Sequence, residues 1–130
     1  MKFPAALLAG LCISLPAHAQ TPAPISYKSV AQAYDALRAN PKAAMRQEPD
    51  GWIIAVIDSG PDEGIWSFTP RGNPAFPAVV KRQIIERNGG LYVAMDAICQ
   101  AKKEPCDALM AEFTQMNQQM MQDLNKQKPR

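Results

Sequence analysis

The sequence predicts an α+β fold, in which an antiparallel sheet of four to five strands is flanked by an N-terminal and a C-terminal helix on one face. Three observations support this prediction. Apolar residues recur at helical spacing near both ends, short strand-like runs fill the middle, and one Asn-Gly pair joins two longer runs. The order helix, strands, helix is typical of an α+β sandwich.

The first helix is predicted after Ser29, which has the character of an N-cap. Gln32 follows three residues later and completes a capping-box pattern. Pro41 disfavours helical geometry in the residue before it, so the helix should end near Ala39 or Asn40. Its apolar stripe consists of Val30, Ala33, Tyr34 and Leu37.

Three strands are predicted in the first part of the sheet. Residues Ala43–Gln47 and Trp52–Asp58 flank the turn residues Pro49-Asp50-Gly51, which suit a hairpin. The run from Trp52 is almost continuously apolar, as expected of a strand covered on both faces. Ile65–Phe68 forms a third, short strand.

The clearest local signal is a hairpin formed by Val79–Arg87 and Gly90–Ile98. Asn88-Gly89 between them is a favoured pair for a two-residue type I′ turn, because both positions tolerate positive φ. Pairing of Arg87 with Gly90 sets a register in which Lys81 lies opposite Asp96. This opposite-charge match supports the register.

A second helix is predicted to begin around Pro105–Asp107. Proline is tolerated in a first turn. Residues Asn125–Arg130 are polar and are predicted to fray, so a single domain spans residues 28–124. The apolar stripe of this helix consists of Leu109, Phe113, Met116, Met120 and Leu124.

Residues 1–19 have the pattern of a cleaved signal peptide. Lys2 precedes an apolar run, and Ala17-His18-Ala19 places small residues at the positions that a signal peptidase inspects. The apolar run is too short to span a membrane. We therefore expect an exported protein, periplasmic if the source has two membranes, with a flexible lead-in at residues 20–27.

The two cysteines beyond the signal peptide, Cys99 and Cys106, predict a structural disulfide. Closure of so short a loop stabilises a fold by roughly 2–3 kcal/mol. Redox pairs are usually spaced more closely. Zinc would need further ligands that are not evident here.

Residues 20–130 contain no histidine, because His18 is the only one in the chain. Histidine is the usual proton shuttle at neutral pH and the commonest metal ligand. The formal net charge of +2 gives no basis for nucleic-acid binding. We therefore expect no catalytic residues, no metal and no cofactor.

The loop from Thr69 to Pro77 is the best candidate for binding. It is long for a strand connection, and such loops are often functional. Arg71 and Asn73 offer polar contacts, and Phe76 offers an apolar anchor. The alternative is a stiff crossover with Phe76 in the core.

Met116 and Met120 lie one helical turn apart and form a second candidate site. Methionine packs well into irregular core gaps, so both residues are first expected in the core. A methionine-lined partner surface is the alternative. Copper(I) is a further one, since thioethers are soft ligands.

These observations predict a small, non-catalytic binding domain that contacts another envelope protein. We expect a monomer or weak oligomer with no membrane span. The alternatives are a copper binder using the methionine helix and a small enzyme using carboxylates and a lysine. The enzyme would need Asp58, Asp62 or Glu63 beside a lysine with a displaced pKa.

Overall fold

The computed structural model describes Gly10 and residues 22–127, and these form a five-stranded antiparallel sheet with two helices. Neighbouring strands follow chain order, so the sheet is a meander. The α+β class and the upper strand number are confirmed. Apart from Gly10, the expected signal peptide lies outside the described residues. The elements are α1 (Val30–Ala39), β1 (Ala44–Gln47), β2 (Ile53–Ile57), β3 (Gly64–Phe68), β4 (Ala78–Arg87), β5 (Gly90–Cys99) and α2 (Lys103–Gln127).

Helix α1 begins and ends as its sequence predicts. The Oγ atom of Ser29 accepts a hydrogen bond from the backbone N–H of Gln32 at 3.0 Å. The Gln32 side chain accepts in turn from the N–H of Lys28 at 2.7 Å, one residue before the cap. The helix stops at Asn40, directly before Pro41.

The β4–β5 hairpin has the predicted register. Arg87 pairs with Gly90, and Lys81 pairs with Asp96. Asn88 has φ of 51° and Gly89 has φ of 78°, so both turn residues adopt the left-handed conformation that a type I′ turn requires. The turn therefore sets which face of the sheet each residue of the hairpin occupies.

The two helices lie on opposite faces of the sheet, which differs from the expectation that they share one face. Helix α1 packs with Trp66 and Val79, whereas α2 packs with Ala78 and Val80. Successive strand residues point to opposite sides, so Val79 and Val80 mark two different faces. We call these the α1 face and the α2 face.

The physical reason for this division lies in β4. Its first residues, Ala78 to Lys81, are all buried. A strand buried on both sides needs cover on both sides. One helix on each face supplies it.

The sulfur atoms of Cys99 and Cys106 lie 2.07 Å apart, at disulfide distance. The pair connects the end of β5 to the first turn of α2. That helix begins at Lys103, two residues before the predicted start, and contains Pro105 in its first turn. The pair therefore holds the start of α2 close to the edge strand.

The buried stripe of α2 differs from the predicted one. Leu109 and Phe113 are buried as expected, but Asn117 is the next buried residue. Met116 is 46% exposed, so its expected place in the core is wrong. The stripe advances by four residues at each step, which moves Met116 to the flank of the helix.

Residues 125–127, which were predicted to fray, are helical. Helix α2 continues to Gln127, and residues 128–130 lie outside the described part of the chain. The Asn125 side chain exchanges two hydrogen bonds with the backbone of Leu91, at 3.0 and 3.1 Å. These bonds hold the end of α2 to β5.

Among the residues that the structure describes, no helix has the length and apolar character needed to cross a membrane.

Candidate binding surface

The loop of residues 69–77 is closed at its base by hydrogen bonds between Thr69 and Ala78. The Thr69 N–H donates to the Ala78 carbonyl at 3.0 Å, and the Ala78 N–H donates to Thr69 Oγ1 at 2.9 Å. Both residues are buried. The loop therefore emerges from a rigid pair at the end of β3 and the start of β4.

Asn73 holds the interior of the loop. Its Oδ1 atom accepts from the N–H of Ala75 at 2.9 Å, and its carbonyl accepts from the N–H of Phe76 at 2.9 Å. Such side-chain bonds to nearby backbone are typical of turn-forming asparagine. Of the three binding residues predicted in this loop, Asn73 thus shapes the loop through its own hydrogen bonds.

Phe76 is 43% exposed, whereas its neighbour Ala75 is 2% exposed. Ala75 packs with Leu109 and Phe113 in the core of the α2 face. The interpretation of this loop as a crossover with Phe76 in the core is therefore wrong, because Ala75 fills that place. Phe76 remains available at the surface.

Two concavities meet at Phe76 and Arg71. One has a volume of about 420 Å³ and lies between the loop and α1, where Tyr34, Phe68 and Pro77 contribute to it. The other, of about 500 Å³, lies between the loop and the turn that joins β1 and β2. The residues common to both are Ile53, Thr69, Arg71 and Phe76. We call this region the loop surface.

The loop surface combines an aromatic wall with charges of both signs. The rings of Tyr34 and Phe68 meet edge to face, with centroids 5.4 Å apart. Asp35 lines the same concavity as Arg71 on the α1 side, and Asp50 lines the other one. The arrangement can receive an apolar side chain and fix its surroundings by hydrogen bonds.

The two residues of the candidate methionine site, Met116 and Met120, differ in how far they are buried. Met116 is exposed, and Met120 is partly buried one turn further along α2. Val56 and Ile84, which are 37% and 43% exposed, both lie on the α2 face. The described residues contain no group of three or more His, Cys, Asp or Glu side chains placed to hold a metal ion. That search does not include thioethers, so copper(I) binding stays a prediction.

The loop between β2 and β3, which contains Asp62, lies against Tyr27. The Tyr27 hydroxyl donates to Asp62 Oδ2 at 2.7 Å, and Trp66 Nε1 donates to the Asp62 carbonyl at 2.9 Å. Burial, helped by the hydrogen bond and the charge of Asp62, raises the pKa of Tyr27 to about 12. Asp62 is thus engaged in holding Tyr27.

Lys81, which pairs with Asp96 across the hairpin, is only 2% exposed. Its Nζ atom donates to the Ala23 carbonyl at 2.8 Å and lies 5.2 Å from the centre of the Trp66 ring. Burial lowers the pKa of Lys81, while the charges of Asp62, Asp96 and Glu63 oppose this shift. The hairpin register predicted from the sequence already placed Lys81 opposite Asp96. It did not indicate which part of the chain covers the two side chains.

Comparison of the chain with models of protein families, with curated proteins and with solved structures returned no match.

Proposed function

We propose that this protein is a small, exported, non-catalytic binding domain that contacts another envelope protein through the loop surface. The observation that carries this proposal is the position of Phe76. A large aromatic side chain is 43% exposed where two concavities meet, beside an exposed arginine. Few interface residues provide most of the energy of a complex, and aromatic residues and arginine are enriched among them.

The loop is ordered by its own hydrogen bonds and prolines, and this order favours binding. Its base is closed by Thr69 and Ala78, and its interior by Asn73. Prolines at positions 70, 74 and 77 restrict the backbone further. A surface that is already ordered loses less conformational entropy when a partner binds.

Capture from an envelope extract tests the proposal. The immobilised protein is compared with Arg71→Ala, Phe76→Ala and the control Tyr92→Ala. Tyr92 is a matched control because it is 44% exposed but lies on β5 outside the loop surface. The captured protein is identified by mass spectrometry, purified, and titrated against each variant.

We expect the affinity to fall about tenfold or more for Phe76→Ala and Arg71→Ala, as for central interface residues, and to stay unchanged for Tyr92→Ala. Equal affinity of the wild type and both loop variants would contradict the assigned surface. Reproducible turnover of a substrate by the purified protein would contradict the non-catalytic role.

Export is supported by the signal-peptide pattern of residues 1–19 and by the cysteine pair at disulfide distance. The expected exported form begins at Gln20. Its mass, measured on periplasmic material, checks this expectation. A full-length mass in that fraction would contradict cleavage.

The carboxylate and lysine alternative is less well supported by the geometry. Lys81 is the lysine whose pKa responds to Asp62 and Glu63, but its amine is buried and donates to a backbone carbonyl. An amine in that position holds the chain instead of facing a substrate.

The copper alternative rests on Met116 and Met120, which lie one turn apart with at least one exposed. A copper(I) titration compares the wild type with the double variant Met116→Leu/Met120→Leu. Equal affinity of the two proteins would eliminate this alternative.

A further inference from the structure

Side chains of β4 and β5 hold the segment of residues 22–25 by its backbone. The Ala23 N–H donates to Gln83 Oε1 at 3.1 Å, and Lys81 Nζ donates to the Ala23 carbonyl at 2.8 Å. The Ile25 N–H donates to Asp96 Oδ2 at 2.7 Å. The segment was expected to be a flexible lead-in, but its described residues make these three specific bonds.

The three holding residues lie together on the α1 face. Lys81 and Gln83 are alternate residues of β4, and Asp96 pairs with Lys81 across the hairpin. Ala94 of β5 pairs with Gln83 and completes the group. We call Lys81, Gln83, Ala94 and Asp96 the cradle.

In all three hydrogen bonds, a side chain of the cradle contacts a main-chain atom of the segment. None of the bonds uses the side chain of Ala23 or Ile25. An extended peptide of different sequence can make the same bonds, provided that it has an N–H group at both positions. Recognition of an extended main chain, with pockets for selected side chains, is a recurring mode of peptide binding.

The chain's own segment leaves part of the cradle empty. A cleft of about 220 Å³ lies between Pro22, Ala23 and Pro24 on one side and the cradle on the other. Two of its lining residues, Ala23 and Ala94, have only a methyl side chain. A ligand with a larger apolar side chain in place of Ala23 would bury more surface there.

We propose that the cradle is a binding site for an extended peptide segment of a partner protein, with a larger apolar residue at the position of Ala23. Residues 22–25 occupy this site in the absence of the partner. The cradle shares no residue with the loop surface, so this inference goes beyond the proposed function and can fail independently of it.

Competition with the tethered segment gives the proposal a measurable signature. A segment attached to the same chain has an effective concentration of about a millimolar, which weakens the binding of any free peptide. Loss of the Ile25 or Ala23 N–H should release the segment and make free peptide bind more tightly.

The test uses residues 20–130 and a fluorescent peptide with the sequence of residues 20–27, carrying leucine in place of Ala23. Fluorescence anisotropy measures its affinity for the wild type, for Ile25→Pro and for Ala23→Pro. Each proline removes one N–H that the cradle binds. Since Ile25 also packs against the α1-face core, Ala23→Pro keeps the test valid if Ile25→Pro does not fold.

We expect the peptide to bind Ile25→Pro about tenfold or more tightly than the wild type, because the lost hydrogen bond is to the charged Asp96. For Ala23→Pro we expect a gain of about fivefold, because the lost bond is to the neutral amide of Gln83. The leucine peptide should bind more tightly than the peptide with alanine. Addition of Asp96→Ala, which removes the acceptor of the Ile25 N–H, should abolish the gain, whereas addition of Phe76→Ala should leave it unchanged.

Three results would overturn the proposal. The first is no gain in affinity in a folded proline variant, and the second is equal affinity for the leucine and alanine peptides. The third is a concentration-dependent dimer in which the segment of one copy fills the cradle of another, because the occupant would then be a second copy. Loss of envelope-partner binding in Phe76→Ala with intact peptide binding would separate the two proposals.

Discussion

Reduction of the Cys99–Cys106 pair tests how the end of the sheet is joined to α2. The two residues are separated by 7 positions, with α carbons 5.9 Å apart. A covalent link between them restricts the unfolded chain and so stabilises the folded state relative to it. Reduction removes this restriction while both sulfur atoms remain in place to pack.

The expected magnitude follows from the size of the closed loop. For a separation of seven residues, the chain-entropy relation corresponds to about 2.4 kcal/mol at room temperature. Helix α2 should stay attached in the reduced protein, since Leu109 and Phe113 are buried and Asn125 bonds to Leu91. We therefore expect a large loss of stability with retention of the fold.

Thermal melting followed by circular dichroism measures the effect. A loss of about 2.4 kcal/mol should lower the melting temperature by about 10 °C in a domain of this size. The control is Cys99→Ala/Cys106→Ala, which should melt near the reduced wild type and should not respond to reductant.

Melting of the oxidised and reduced proteins within about 2 °C of each other would show that loop closure contributes little to stability. A response of the double alanine variant to reductant would show that the measured change has another source.

Two further predictions concern Asn117 and Tyr27. Asn117 is 5% exposed, and its Oδ1 atom is buried without a hydrogen-bond partner. Burial of such an atom destabilises a fold by about 1–3 kcal/mol. The variant Asn117→Leu should therefore raise the free energy of unfolding, measured in urea, by about 1 kcal/mol. The control is Gln118→Leu at the exposed neighbouring residue, which should change stability little. Destabilisation by Asn117→Leu alone would contradict the assigned cost of the unpaired Oδ1 atom. Burial and Asp62 raise the pKa of Tyr27 from 10.0 to about 12, so this phenol should ionise at about 12 by ultraviolet absorbance, and earlier in Asp62→Asn. Because folding favours the neutral phenol, the contribution of Tyr27 to stability is complete below pH 10.0 and is lost as the pH rises through about 12. An unchanged titration of Tyr27 in Asp62→Asn would contradict the contribution of Asp62 to this pKa.

Local chemistry explains the parts of the fold that could be predicted. Ser29 caps α1 and Pro41 follows its end, and both effects act within a few residues. Asn88-Gly89 defines a tight turn, which sets the whole β4–β5 register, including the pairing of Lys81 with Asp96.

The placement of the helices and of their side chains depended on packing between distant residues. Helical spacing alone favoured Met116 for the core, yet the contact of α2 with β5 buries Asn117, whose Nδ2 lies 3.3 Å from Met95 Sδ. Phe76 was a binding candidate from its loop, but its exposure depends on Ala75 filling the adjacent core.

The α+β class, the hairpin register and the candidate cysteine pair can be predicted from the sequence, because each depends on short-range geometry or on residue type. Packing in the folded protein places the helices on opposite faces and brings Lys81, Gln83 and Asp96 to the segment near the N-terminus. Those contacts join residues 58 to 71 positions apart. Their formation depends on how the whole sheet is covered, which no local pattern encodes.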